Sequence, residues 1–283
     1  MRRKKKRFGK NTKIAIGGVI VAVMIVLALF AEYIAPYDPY KQDLMSRLLP
    51  PCWFEGGSMA HLLGTDNYGR DLLSRLIYGS RISILVGVSA TLLSGCLGTI
   101  TGTLAAYKGG KLEQVVMRFA DAQQAFPDVL LAVLVVAAIG GSAANLIIVL
   151  GVSGWMVYAR LTYGMTKSLK ELPYVEASIS FGARDMYIIF RHILPQMLPL
   201  LTVVSTLQVA QMILQETALS FLGLGIPPPA ASWGNMLAEG RDRLWVAPWI
   251  ANAAGVAIIA LVWGINLLGN GLREHLDPKS RQL

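Results

Sequence analysis

Three glutamines, Gln208, Gln211 and Gln215, and one acid, Glu216, stand inside an otherwise apolar run, residues 197–222. Their three- and four-residue spacing puts the glutamines on one helix face. Hydrocarbon cannot satisfy amide groups, so such a face must line a cavity or meet another helix. The chemistry it offers is hydrogen bonding along a path. Glu216 has two open readings: an acid on that path, or an interfacial acid within reach of outer water. Bond-making chemistry is poorly provided. His61, His192 and His275 are far apart and separated by apolar runs, so neither a metal cluster nor a Ser-His-Asp set is expected. Cys52 and Cys96 show no metal spacing and read as unreactive thiols. Gly9-Lys10 and Gly110-Lys111 lack the upstream glycine and the following Ser or Thr of a Walker A loop. The chain is therefore expected to carry no cofactor, to leave nucleotide hydrolysis to others, and not to be an enzyme.

Composition says where such a chain folds. Apolar residues make up 54% of its 283 residues and charged residues only 15%, with a mean hydropathy of +0.51. A soluble domain needs more charge on its surface, whereas several apolar runs approach the roughly 20 residues of a spanning helix. The expected fold is all-α, a polytopic membrane protein with six transmembrane helices and lipid around it. Basic residues outnumber acidic ones, 26 against 17. They are scattered apart from the 2–7 run RRKKKR, which points to membrane orientation and not to nucleic acid.

In chain order, residues 1–13 read as a basic cytoplasmic tail and 14–35 as an uncleaved first span. Residues 36–80 form an outer loop. Its end is expected to be an interfacial amphipathic helix capped by Thr65 or Asp66, with Leu72, Leu73, Leu76 and Ile77 on one face and Arg70, Asp71, Ser74 and Arg75 elsewhere. Residues 81–272 then hold five more spans. The second, 82–107, is rich in Gly and Ser and so suits close helix packing. The third carries Arg118 and Asp121, three apart and able to pair, ahead of its most apolar part, 129–139. The fourth covers 145–163, with Arg160 snorkelling to the inner surface. The fifth covers 197–222. The sixth, 247–268, follows an outer loop, with Trp245 and Trp249 placed for an aromatic belt. Residues 273–283 form a polar tail. With the N-terminus inside, 19 of the 26 Lys and Arg residues fall in inner segments. Both ends and the polar stretch 168–195 are then cytoplasmic.

That stretch, extended to Pro199, reads PYVEASISFGARDMYIIFRHILPQMLP from Pro173. It is too polar to span and too regular for a linker. Pro173 suits a first helical turn, Glu176 the positive end of the helix dipole, and Gly182 a sharp bend. Residues 183–192 form a second short helix, which Leu194-Pro195 is expected to end. The result is a helix pair on a membrane surface, open to a partner.

These residues resemble the EAA loop of permease subunits in binding-protein-dependent ABC importers: Glu176-Ala177-Ser178, then Gly182, then Leu194-Pro195. Ser178 stands where the family usually has Ala, and His192 where it usually has Ile. HLLGTDNYGRDLLSRLIYGSR (61–81), MRFADAQQAFP (117–127), ETALSFLGLGIPPP (216–229), SWGNML (232–237) and GLREHLDP (271–278) are similar to the dipeptide/oligopeptide/nickel permeases, C-type subunit, over nearly the whole chain. The resemblance implies a type I ABC importer permease fold in a bacterial cytoplasmic (inner) membrane. It implies that Glu176, Ala177, Ser178, Gly182, Leu194 and Pro195 couple the chain to two ATP-binding subunits, with Gln208, Gln211, Gln215 and Glu216 as path candidates. A second, homologous permease subunit would complete a heterodimer, and an extracytoplasmic binding protein would deliver di- or oligopeptides. Nickel or a metallophore, or glutathione, are alternative cargoes. A self-sufficient secondary transporter is the rival class, and no inverted repeat supports it.

Overall fold

A bilayer leaves no water for an open backbone, so long apolar runs close their hydrogen bonds as helices. The computed structural model describes residues 10–276. The expected tails 1–13 and 273–283 are covered only in part, since residues 1–9 and 277–283 lie outside the described residues. Eleven α-helices follow among the described residues: α1 Lys10–Leu29, α2 Ala31–Ile34, α3 Leu72–Lys108, α4 Gly110–Gln124, α5 Asp128–Ile139, α6 Ala143–Lys170, α7 Pro173–Ser180, α8 Asp185–Ile188, α9 Leu194–Phe221, α10 Trp233–Arg241 and α11 Pro248–Leu276. No strand occurs among the described residues. Five helical segments are long and apolar enough to cross a membrane, and α4 with α5, bent by 90°, brings the number to six if the pair is taken as one span. The all-α, polytopic reading holds, and the remaining expected span, the third in chain order, is this bent pair.

Small residues bring the helices together. A Cβ on Gly98 or Gly102 of α3 would overlap the backbone of Trp155 or Ala159 on α6, and one on Gly17 of α1 would overlap the backbone of α11. Backbones this close gain dispersion along their length, the main attraction available when lipid is as apolar as the side chains. Three buried clusters form the interior. The first joins α3, α9, α10 and α11 through Leu72, Ile213, Trp233, Met236, Ile250 and Leu261. A second joins α3, α5, α6 and α9. The third includes Tyr107, Tyr158, Val175, Ile188, Ile193 and Met197.

The outer loop departs from expectation. Neither Thr65 nor Asp66 caps a helix. Residues 61–71 run through turns, with Gly64 and Gly69 at positive φ, and Asp71 caps α3 by accepting from the Ser74 N–H at 2.8 Å. From there α3 runs unbroken for 37 residues, so the expected interfacial helix and the second span are one element. Asp66 is instead the centre of a buried ion cluster. Its carboxylate accepts from Arg70 Nε at 2.6 Å and from Arg75, while Glu239 accepts from Arg75 Nη1 at 2.6 Å and from Arg70 Nη2 at 3.2 Å. Asp66, Arg70 and Arg75 are all at most 4% exposed, so the charged side of this segment faces inward. Its partner is α10, which the sequence reading places in a plain loop. Ser232 caps α10, and Trp233 on it is buried, donating its ring N–H to the Leu76 carbonyl at 2.8 Å. Gly79 leaves room for that indole. Of the expected aromatic belt, Trp245 is fully exposed, while Trp249 donates to the Thr65 carbonyl at 3.2 Å. Further out, Ser46 Oγ and the Met45 N–H donate to Asp43 and hold its carboxyl below the ordinary carboxylate value.

Candidate functional site

The α7–α8 helix pair is assembled from the residues the sequence singles out. Pro173 occupies the first turn of α7, where no N–H is needed, and Glu176 lies in that turn near the positive end of the dipole. Phe181 ends the helix, and Gly182 follows at φ 77°. A Cβ on Gly182 would meet nothing within 4 Å, so the backbone angle alone calls for glycine there. The second helix is shorter than expected. Four residues of α8 pass into a π-helical turn, Ile189–Ile193. Leu194-Pro195 does not end a helix: Pro195 sits in the first turn of α9, and the chain continues into the membrane.

One side of the pair is pinned and the other is bare. Val175, Ile188 and Ile193 are fully buried and pack with Tyr107 of α3, Tyr158 of α6 and Met197 of α9. Tyr107 OH donates to Asp185 Oδ1 at 3.3 Å, and Lys170 Nζ donates to the Tyr107 carbonyl at 2.8 Å. Opposite, Glu176, Ala177, Gly182 and Pro195 are exposed, and Ser178 and Leu194 are half-buried. Ser178 Oγ donates back to the Tyr174 carbonyl at 2.9 Å, which keeps its hydroxyl satisfied in a helix. Large apolar side chains stand out beside them: Phe181 is 90% exposed, and Met186, Tyr187 and Phe190 are more than half exposed. A bare apolar patch of this kind marks a surface made to meet a protein or a membrane. His192 lies between the rings of Tyr174 and Tyr187, with centroids 5.8 and 5.7 Å away, a packing role.

The second set of candidates divides. On α9, Gln211 is exposed and Gln208 and Gln215 are half-buried, so the glutamine face is open along this chain. Glu216 points elsewhere. It is fully buried, accepting from Ser220 Oγ at 2.8 Å and from Ser83 Oγ of α3 at 3.2 Å. It neither reaches outer water nor shares the glutamine surface. The expected Arg118–Asp121 pair is also replaced. Asp121 accepts from Arg160 Nη2 at 2.7 Å, so Arg160 is held by α4 and does not reach for the inner surface. Nearby, Gln123 bridges α4 to α6, accepting from Trp155 Nε1 at 2.7 Å and donating to the Ser153 carbonyl at 2.6 Å. Sequence spacing shows none of these long-range pairs. Local i,i+4 spacing is present for Asp66 with Arg70 and for Glu216 with Ser220.

Comparison with known proteins agrees with this geometry. The family described as "Binding-protein-dependent transport system inner membrane component" matches residues 98–282. "N-terminal TM domain of oligopeptide transport permease C" matches residues 2–51. The dipeptide transport system permease protein DppC of Haemophilus influenzae is 40% identical over 97% of this chain and 93% of its own length. The di/tripeptide permease DppC of Pseudomonas aeruginosa is 42% identical over 95% and 89%. The glutathione permease GsiD of Pectobacterium atrosepticum is 40% identical over 97% and 89%. Among solved structures, the MetNI methionine ABC transporter in inward-facing conformations superposes with a TM-score of 0.58 at 20% identity. It covers 72% of this chain and 96% of its own, a likeness of fold. With a matching family profile over most of its length and near-full-length relatives at this identity, the chain belongs to the inner membrane components of binding-protein-dependent transport systems.

Proposed function

We propose that the chain is the permease subunit of an ATP-driven importer of short peptides, with both ends cytoplasmic, paired with a second, homologous permease. Two ATP-binding subunits would dock on the α7–α8 pair, and an extracytoplasmic binding protein would deliver cargo to the outer face. The observation that carries this reading is the pair itself, bare on one side and pinned into the bundle on the other. Val175, Ile188 and Ile193 touch residues of α3, α6 and α9. A push on Phe181 or Glu176 is thus delivered to three spans at once. Ala177, small and exposed, permits close approach of a docking groove, and Glu176 suits a basic one. Nucleotide-driven closure of the docked subunits would tilt the pair and exchange inward- and outward-open states.

Peptide cargo is favoured by the dipeptide and di/tripeptide relatives. Glutathione, itself a peptide, is the second reading, supported by a relative of equal identity. The test is uptake by the chain reconstituted with its partners in vesicles. Glu176→Lys is expected to abolish ATP-dependent peptide uptake while the chain still inserts and its ATP-binding partners still hydrolyse ATP. Normal uptake by that variant would defeat the docking role. Ion-driven uptake by the chain alone, without ATP, would favour a secondary transporter instead.

A further inference from the structure

We propose that the groove between α1, α11 and the turn at residues 51–57 seats one acyl chain of a membrane phospholipid, with Trp53 and Phe54 closing over it. The site is separate from the α7–α8 pair and from the glutamine face of α9.

Its roof is a fixed turn. Within PCWFEGG, the Phe54 N–H donates to the Pro51 carbonyl at 2.9 Å and the Gly57 N–H to the Phe54 carbonyl at 3.0 Å. The Cys52 N–H donates to the Leu62 carbonyl at 3.2 Å. A Cβ on Gly57 would overlap the Pro51 carbonyl, so only glycine lets the turn close this tightly. The turn holds Trp53 65% and Phe54 56% exposed, with ring centroids 6.3 Å apart. In water two such rings gain nothing. At a bilayer surface, where Trp is enriched, they bury apolar area.

Beneath them lies a groove of about 580 Å³, floored by Ala253, Ala257 and Ala260 of α11 and walled by Met24 of α1 and Trp249. The alanines leave the space. Past Ala260 the two helices close up, since a Cβ on Gly264 would overlap Ile20. The other end lies at the start of α11, where Trp249 donates to the Thr65 carbonyl and the exposed Arg241-Asp242-Arg243 run stands just ahead. The stretch from Trp249 to Ala260 rises about 16 Å at 1.5 Å per residue. Half of the roughly 30 Å hydrocarbon core of a bilayer is about the same length, so the groove is as long as one leaflet's chains.

The lining names the occupant. No charged side chain lines the groove, and its one amide, Asn252, is exposed. A peptide or an ion would find no partner there for its charge. The surface around the groove is apolar as well. Between residues 14 and 29 every exposed residue of α1 is apolar, and on α11 the exposed Val256 and Trp263 continue one stripe. Exposed Thr202 and Gln211 on α9 call for a protein or water beside them, whereas this face of α1 and α11 calls for hydrocarbon. The groove is continuous with that face, and a neutral lining matches a neutral chain.

The test uses the full complex in phosphatidylethanolamine vesicles doped with an analogue that carries a diazirine near the methyl end of one chain. After illumination, label is expected on Met24 and Ala260, both half-buried in the groove, ahead of Ile259, which is 68% exposed outside it. Lipid that merely surrounds the protein would mark residues by exposure, Ile259 first, and that order would overturn the proposal. An unlabelled groove, the result if the second permease covers it, would overturn it too. Ala260→Trp fills the closed end and is expected to lose the label at Met24 while Ile259 keeps its own. If that variant does not assemble, Trp53→Ser combined with Phe54→Ser removes the roof from an exposed turn, and Met24 should then fall behind Ile259. Label at Met24 that persists undiminished in these variants would defeat the site.

Discussion

Gly182 separates shape from bulk at a single residue. Its φ of 77° lies in the left-handed region, which costs an ordinary L-residue about 1–2 kcal/mol and a β-branched one more. Space is no obstacle, since nothing stands within 4 Å of a Cβ there. Gly182→Asn, which tolerates that backbone, is expected to keep most of the ATP-dependent uptake. Gly182→Val should straighten or displace the bend between α7 and α8 and lose it. Uptake assays on the reconstituted complex, read beside ATP hydrolysis, would check this. Equal loss in both variants would show that bulk against a docked partner matters instead. The need for glycine was legible in the sequence because the bend is local. The roles of Glu216 and Asp121 were not. For Asp121, spacing offered Arg118 as a neighbour three residues away, and only the approach of α4 to α6 decides for Arg160. For Glu216 the sequence left a path acid and an interfacial acid both open, and only the approach of α3 shows its carboxylate accepting from Ser83.

At the scale of elements, the apolar spans were legible because a bilayer demands long apolar helices, but their ends were not. The outer loop was expected to end at residue 80, with the second span starting at 82, and Leu194-Pro195 to end a helix, yet α3 passes through the first and α9 begins at the second. At Gly79 the missing side chain serves Trp233, and at Pro195 the first helical turn needs no N–H. The outer platform was hidden altogether, since Arg75 and Glu239 are 164 residues apart. Two substitutions test it. Arg75→Met would strand a buried Asp66 and a partly buried Glu239 against fewer donors, a loss of about 3–5 kcal/mol. Trp233→Ala would empty a site filled to 1% exposure, at about 3–5 kcal/mol. Both should lower the melting temperature of the detergent-solubilised protein. Trp233→Phe, which forfeits the bond to Leu76 but keeps most of the volume, should lower it much less. A similar drop for both Trp233 variants would make the hydrogen bond, and not the packing, the dominant contribution.

For the whole molecule, orientation decides what every surface meets. The described surfaces differ in kind. One end presents the α7–α8 pair with Phe181 bare, and the other presents the 36–71 loop, where Met59 is 78% exposed. Basic residues are more numerous in the segments assigned to the first side, and the positive-inside bias supports the cytoplasmic orientation proposed above. A reversed chain would put the helix pair where no ATP-binding subunit could reach it. Its bare aromatics would be left in outer solvent. In a background without Cys52 and Cys96, Met59→Cys should therefore react with a membrane-impermeant maleimide on intact cells. Phe181→Cys should react only after the membrane is opened, and less when the ATP-binding subunits are present, because the same side chain would then be covered. Labelling of Phe181→Cys on intact cells would invert the topology and the docking role together. Labelling unaffected by those subunits would spare the topology and move the docking surface elsewhere on the inner face.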